Sequence, residues 1–117
     1  MFKLIVAGSR EFSDYAFLKQ KLKHLLQNVN EEIEIVSGTA NGADKLGERF
    51  ANEHGYKIAR FPADWNQFGL RAGHLRNEDM AKYGNACVVF WVNKSKGTKS
   101  MIDFAKKYNL KLRIYES

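Results

Sequence analysis

Apolar positions along the chain follow two alternating rhythms. Short unbroken runs occur at Lys3–Gly8 (KLIVAG), Glu34–Gly38 (EIVSG), Lys57–Ala63 (KIARFPA), Ala86–Val92 (ACVVFWV) and Leu110–Tyr115, and each reads as a strand. Between them the apolar spacing lengthens to three and four. Ser13 or Asp14 can cap a helix carrying Leu18, Leu22, Leu25, Leu26 and Val29 on one stripe, with Lys19, Lys21 and Lys23 between them. Asn41–His54 sets Ala43, Leu46, Phe50 and Ala51 on one side, and Gly55 is placed to stop it. Arg71–Tyr83 turns Leu75, Met80 and Tyr83 inward, and Lys99–Tyr108 is the fourth helix. Pro62–Leu70 (PADWNQFGL) shows neither rhythm and reads as irregular, though it is too rich in Trp, Phe and Asp for a spacer.

Strands alternating with helices at this pace predict βαβ units and a parallel sheet. LIVA and CVVFW have no polar side, as strands covered on both faces require. Right-handed crossovers then give a small, doubly wound, Rossmann-like α/β sheet with helices on both faces. A chain of 117 residues without repeat, linker or low-complexity segment is expected to be one domain, residues 1–117.

Composition narrows the class only a little. Hydrophobic residues at 44% and charged residues at 27% are ordinary for a globular protein. No apolar run approaches the ~20 residues that span a bilayer, and MFKLIVAG reads as a strand rather than a signal peptide. The one cysteine, Cys87, has no partner for an internal disulfide and sits in an apolar run, where a buried, inert thiol is expected. These features predict a cytoplasmic protein without membrane attachment.

Charge adds more. The chain carries +6, and the segment from Lys94 to Ser117 holds seven basic against two acidic residues, a net of +5. Such a face attracts nucleotides, phosphorylated metabolites or nucleic acid, or simply keeps the surface solvated. It can equally line a homo-oligomer interface.

In a parallel sheet all the loops leaving the strands' carboxyl ends lie on one edge, where ligands bind. The polar and glycine residues are unequally shared between the two edges. Strand exits carry GSREF (Gly8–Phe12), SGTANGAD (Ser37–Asp44), PADW (Pro62–Trp65) with AGHLRN (Ala72–Asn77), and NKSKGT (Asn93–Thr98). The return connections NVNEE, EHGY and KYGN hold ordinary turn and capping residues. The asymmetry marks a binding edge with candidate ligand-binding residues Gly8, Ser9, Arg10, Gly38, Thr39, Gly42, Asp44, Asp64, Trp65, Arg76, Asn77, Ser95, Gly97 and Thr98. Gly8 and Gly38 permit sharp turns or close approach of a ligand. Thr39 and the amides around Gly42 precede a helix N-terminus, where free N–H groups favour an anion, and Gly97 and Thr98 repeat the arrangement. Arg10 and Arg76 can grip a phosphate in bidentate fashion.

Structural alternatives stand beside these readings. A glycine turn before a helix is often only a turn, and Gly47 suits close helix packing. Asp44 either supports the first turn of its helix or touches ligand. Trp65 either plugs the core or stacks on a base, while Trp91 reads as core. His24 and His54 lie away from the loops, and no Cys/His cluster has zinc spacing. GTANGADKLG is not the dinucleotide fingerprint, GTKS lacks the P-loop lysine, and no G-x-S-x-G is present.

Taken in order, GSREF, SGTANGAD, FPADW, AGHLRNEDM and VVFWVNKSKGTKSMIDFA resemble the YspA-like family of the SLOG superfamily, Rossmann-like proteins of bacteria and their phages. Residues 4–105 carry the resemblance. It implies strand order 3-2-1-4-5 and a nucleotide-like or NAD-derived ligand in the crevice formed by these loops. The superfamily includes the Lonely Guy phosphoribohydrolases and the DNA-processing protein DprA. Against the Lonely Guy motif P-G-G-x-G-T-x-x-E, this chain has NKSKGTKSM (Asn93–Met101). Gly97 and Thr98 match the G-T, but Met101 stands where the catalytic glutamate would be. Arg76 corresponds to that glutamate's arginine partner, and Asp44 or Asp64 can bring a carboxylate from another loop.

Three functions follow as expectations. The first is binding of a nucleotide or NAD-derived ligand, as a sensor or nucleotide-processing protein, with no further cofactor and no metal called for. The second is hydrolysis of an N-glycosidic bond with Asp44 and Arg76 as catalytic candidates. The third is a DprA-like nucleic-acid-binding module using the basic C-terminal region.

Overall fold

The computed structural model describes all 117 residues. Five strands form one parallel sheet: β1 (Phe2–Gly8), β2 (Ile33–Ser37), β3 (Lys57–Arg60), β4 (Ala86–Trp91) and β5 (Lys111–Glu116). Their order is β3-β2-β1-β4-β5. The chain therefore winds outward from β1 to β3, then returns to the centre and winds out the other way. β1 and β4 lie side by side, from Leu4 opposite Ala86 to Gly8 opposite Phe90. The strand order reverses at this pair, so their exit loops diverge and leave a crevice.

Alternation along the strands builds two apolar layers. Leu4, Val6, Ala86, Val88 and Phe90 face one side. They pack against α1 (Tyr15–Leu26) and α2 (Ala43–His54) through Leu18, Leu22, Leu26, Phe50 and Ala51. Ile5, Ala7, Cys87 and Val89 face the other side. They meet α4 (Ala72–Tyr83) and α5 (Lys96–Lys107) through Met80, Ala81, Met101, Ile102 and Ala105. Fully burying each of these large side chains is worth about 1.5–3 kcal/mol. Gly47 seats α2 on β1, since a Cβ there would lie 2.8 Å from the Val6 side chain.

The structure moves several boundaries. Asp14 caps α1 by accepting from the Phe17 amide at 3.1 Å, and the helix ends at Leu26, leaving Val29 beyond it but packed on the first layer. β3 stops at Arg60, although the Phe61 amide still reaches the Ser37 carbonyl at 2.8 Å. The stretch 62–70 is not irregular. Asp64 caps a short helix α3 (Trp65–Phe68), and a 3-10 turn (Gly69–Arg71) leads directly into α4. The apolar rhythm missed it because none of these residues is buried. α5 begins at Lys96 rather than Lys99, so Gly97 and Thr98 form its first turn instead of preceding it. No helix is long and apolar enough to cross a membrane.

Candidate functional site

At the carboxyl edge, β1 ends in Gly8, where a Cβ would lie 2.2 Å from the Phe90 carbonyl oxygen of β4. Only glycine lets the two central strands approach so closely at their exits. The next residue, Ser9, is buried and starts a chain of hydroxyls. Its Oγ accepts from the Val92 amide at 2.8 Å and lies 2.7 Å from Ser95 Oγ, which donates to Thr98 Oγ1 at 2.9 Å. Ser9 and Ser95 thus commit hydroxyls to fastening the β1 exit to the start of α5.

Between these two exits lies a crevice of about 510 Å³, within the size range of small-ligand sites. Gly8, Ser9, Arg10 and Glu11 form one wall, Val92, Asn93, Ser95, Gly97 and Thr98 the other, and Ala40 closes it from the β2 exit. The amides of Lys96, Gly97 and Thr98 have no acceptor within the chain, and α5 has no side-chain cap. Three free N–H groups and the positive end of a helix dipole therefore border the crevice. Arg10 is exposed beside it and makes no ion pair or side-chain hydrogen bond.

The β2 exit is pressed against the β1 exit. Gly42 has φ of 81°, and a Cβ on it would strike the Ser9 carbonyl at 2.3 Å. Thr39, a β-branched residue, is held at φ of 66°, a left-handed conformation costly for such a side chain. Its amide donates to Ser37 Oγ at 3.0 Å. Ser37 in turn donates to Glu48 Oε2 at 2.6 Å, and Glu48 Oε1 accepts from Arg60 Nε at 3.1 Å. This network, buried at Ser37 and Glu48 and open to solvent at Arg60, holds the loop in place.

Asp44, one helical turn before Glu48, is buried, and its Oδ2 accepts from the Ala40 amide at 3.1 Å. Burial pushes its carboxyl up to about 6, against the pull of the Ala40 amide and the positive charges of Arg76 and Arg10. Glu48 pushes it the same way as burial. Arg76, on α4, donates from Nη1 to the Gly38 carbonyl and from Nε to Asn77 Oδ1 at 2.9 Å. Asn77 Nδ2 lies 3.3 Å from the Gly97 carbonyl and 3.3 Å from Ser100 Oγ. One pair of neighbouring residues on α4 thereby connects the β2 exit with the first turn of α5. Burial also lowers the Arg76 guanidinium below its usual range, and Arg10 adds to the effect while Asp44 opposes it.

The structure thus brings together Gly8, Ser9, Arg10, Gly38, Thr39, Gly42, Asp44, Arg76, Asn77, Ser95, Gly97 and Thr98. Asp64 spends its carboxylate on the Gln67 amide at 3.1 Å, as the cap of α3. Trp65 is not a core plug: it is half-exposed and rests on α4, its ring 3.3 Å from where a Gly73 Cβ would be. Met101 is buried in the second apolar layer, so that position offers no acid. Asp103 is exposed and pairs with Lys99 at 3.0 Å. No three His, Cys, Asp or Glu residues are grouped to hold a metal. Cys87 is buried, its thiol pushed up to about 12 by burial and the Asp44 charge.

Sequence reasoning passed over Glu48 and Ala40. Asp44 and Glu48 are four apart in a helix whose apolar residues share that side, so an inward-facing acid pair was legible. Ala40 has no chemistry of its own to signal a role; only its backbone position matters.

A family model described as "YspA, cpYpsA-related SLOG family" matches residues 2–68. The chain is also similar to the Gene 61 protein of Mycobacterium phage D29, 30% identical over 113 residues that cover 92% of this chain and 90% of the relative. No solved structure matches it.

Proposed function

Because the chain belongs to the YspA, cpYpsA-related SLOG family, we propose that it binds a nucleotide or NAD-derived ligand through a phosphate seated in the β1–β4 crevice. The observation that carries this reading is the set of unpaired amides at Lys96, Gly97 and Thr98 where the strand order reverses. Gly97 supports it. A Cβ there would meet nothing within 4 Å, so nothing in the chain demands a glycine, whereas a ligand approaching the helix end does. Arg10 adds a free positive charge on the opposite wall. Such a site suits a sensor or a nucleotide-processing protein.

A thermal-shift panel of nucleoside phosphates, NAD, ADP-ribose and cyclic nucleotides tests the proposal. A ligand at about a hundredfold excess over Kd stabilises by about 2.7 kcal/mol, a shift readily measured. The absence of any shift up to millimolar concentration contradicts it.

Asp44 favours a second reading, hydrolysis of an N-glycosidic bond. A buried carboxyl titrating near 6 can serve as an acid or base at neutral pH, and Arg76 lies close enough to influence its charge. Release of free base from a nucleotide, measured by chromatography and lost in Asp44→Asn, is the expected result; intact nucleotide after prolonged incubation counts against catalysis.

A further inference from the structure

We infer that Trp65 is a stacking platform for the base of the bound nucleotide, with the phosphate at the first turn of α5 and the sugar between them beside Arg76. The inference rests on the phosphate site proposed above and adds the orientation and chemical class of the ligand: a nucleoside phosphate with an aromatic base rather than a plain sugar phosphate.

Three observations carry it. Trp65 is 48% exposed although it sits on a helix packed against α4, so part of its ring is open to a ligand. Its indole approaches α4 where Gly73 has no side chain: Cη2 is 3.3 Å and Cζ2 3.9 Å from the would-be Cβ. Arg76 Nη2 reaches the same point, at 3.6 Å. Nη1 and Nε of Arg76 are engaged by Gly38 and Asn77, whereas Nη2 has no partner in the chain. A half-exposed indole beside a guanidinium nitrogen with free protons suits a base, which stacks on the first and accepts a hydrogen bond from the second.

The order of contacts then fixes a direction. Trp65 adjoins Arg76 across Gly73, and Asn77, next to Arg76, leads to Gly97 in the first turn of α5. A nucleotide with its base on Trp65 and its phosphate at Gly97 would span the α4 segment from Gly73 to Asn77, with its sugar beside Arg76.

Calorimetric titration of AMP, ADP-ribose and ribose 5-phosphate into the wild type, Trp65→Ala and Trp65→Phe tests the assignment. The wild type is expected to hold AMP or ADP-ribose at least about tenfold more tightly than ribose 5-phosphate. Trp65→Ala should lose that advantage while keeping its affinity for ribose 5-phosphate, and Trp65→Phe should keep most of both. Indole fluorescence should be quenched by AMP in the wild type and not in Trp65→Phe, where Trp91 is the remaining reporter. Equal affinities for AMP and ribose 5-phosphate in the wild type, or a Trp65→Ala loss shared equally by both ligands, overturns the assignment and leaves the phosphate site standing. Failure of the wild type to bind any of the three compounds overturns the phosphate site and this assignment together.

Discussion

Arg76 and Asp44 converge on the open face of Gly38, where a Cβ would lie 2.8 Å from both Arg76 Nη1 and Asp44 Oδ2. No hydrogen bond or close ion pair joins the two; they share the space that the missing side chain leaves, and the arginine holds the glycine's carbonyl. Gly38→Ala must therefore displace one of the two charged groups. The expected cost is about 1–3 kcal/mol of stability from overpacking, read by urea denaturation, together with at least a severalfold loss of nucleotide affinity. Unchanged stability and affinity would show that the pair is looser than the geometry states.

Asp44 makes stability fall as pH rises. Its carboxyl titrates near 3.8 when unfolded and about 6 when folded. Between those values the folded state holds a proton that the unfolded state has released, so stability is fully present below about pH 4 and is lost as pH rises through 6. At pH 7 the buried charge costs on the order of 3 kcal/mol. Asp44→Asn keeps an oxygen for the Ala40 amide and removes the charge. The variant is expected to be more stable than the wild type at pH 7 by about 1–3 kcal/mol, with the difference closing towards pH 4. Denaturation curves at several pH values measure it; a difference independent of pH would contradict the burial argument.

Gly97→Ala separates binding from folding. The position is open and lies in the first turn of α5. Replacing glycine with alanine in a helix stabilises by roughly 0.5–1 kcal/mol. The added methyl group enters the crevice where the phosphate is proposed to sit. The expected variant melts at the same or a higher temperature and binds nucleotide at least several times more weakly. Equal affinity in the two proteins would move the phosphate elsewhere.

Glu48 supports the β2 exit loop through its hydrogen bonds. Its two carboxylate oxygens hold Ser37 and Arg60, and Ser37 holds the strained Thr39. Glu48→Ala leaves the Ser37 hydroxyl without its acceptor, with an expected cost of about 1–3 kcal/mol. Glu48→Gln retains an acceptor for Ser37 and should cost less. If Glu48→Gln and Glu48→Ala prove equally destabilising, the network is not what fixes the loop.

Much of this was legible in the sequence, for identifiable reasons. LIVA and CVVFW disclosed buried parallel strands because both of their faces meet helices, and the loops of the binding edge stood out because turn chemistry alone does not require GSR, SGTANG and KGT on the same edge. The resemblance supplied the strand order, which periodicity does not encode. What escaped were exposed or purely geometric features. Helix α3 buries none of its residues and so left no apolar stripe. The sequence pattern starts α5 three residues late because Lys96 and Gly97 carry no apolar signal. The roles of Ser9 and Ser95 as mutual partners, and of Arg76 and Asn77 as links between two loops, depend on contacts across 86, 38 and 20 residues, which local pattern cannot reveal.

The central claim is that a nucleotide phosphate sits at the first turn of α5, between the exits of β1 and β4. Titration of the ¹⁵N-labelled protein with AMP or ADP-ribose, followed through its amide resonances, tests it most directly. The largest shifts are expected at Lys96, Gly97 and Thr98, with Ser9, Arg10 and Ala40 following. Shifts confined to the basic residues of the C-terminal segment, such as Lys106, Lys111 and Arg113, or no shifts at all, would contradict it.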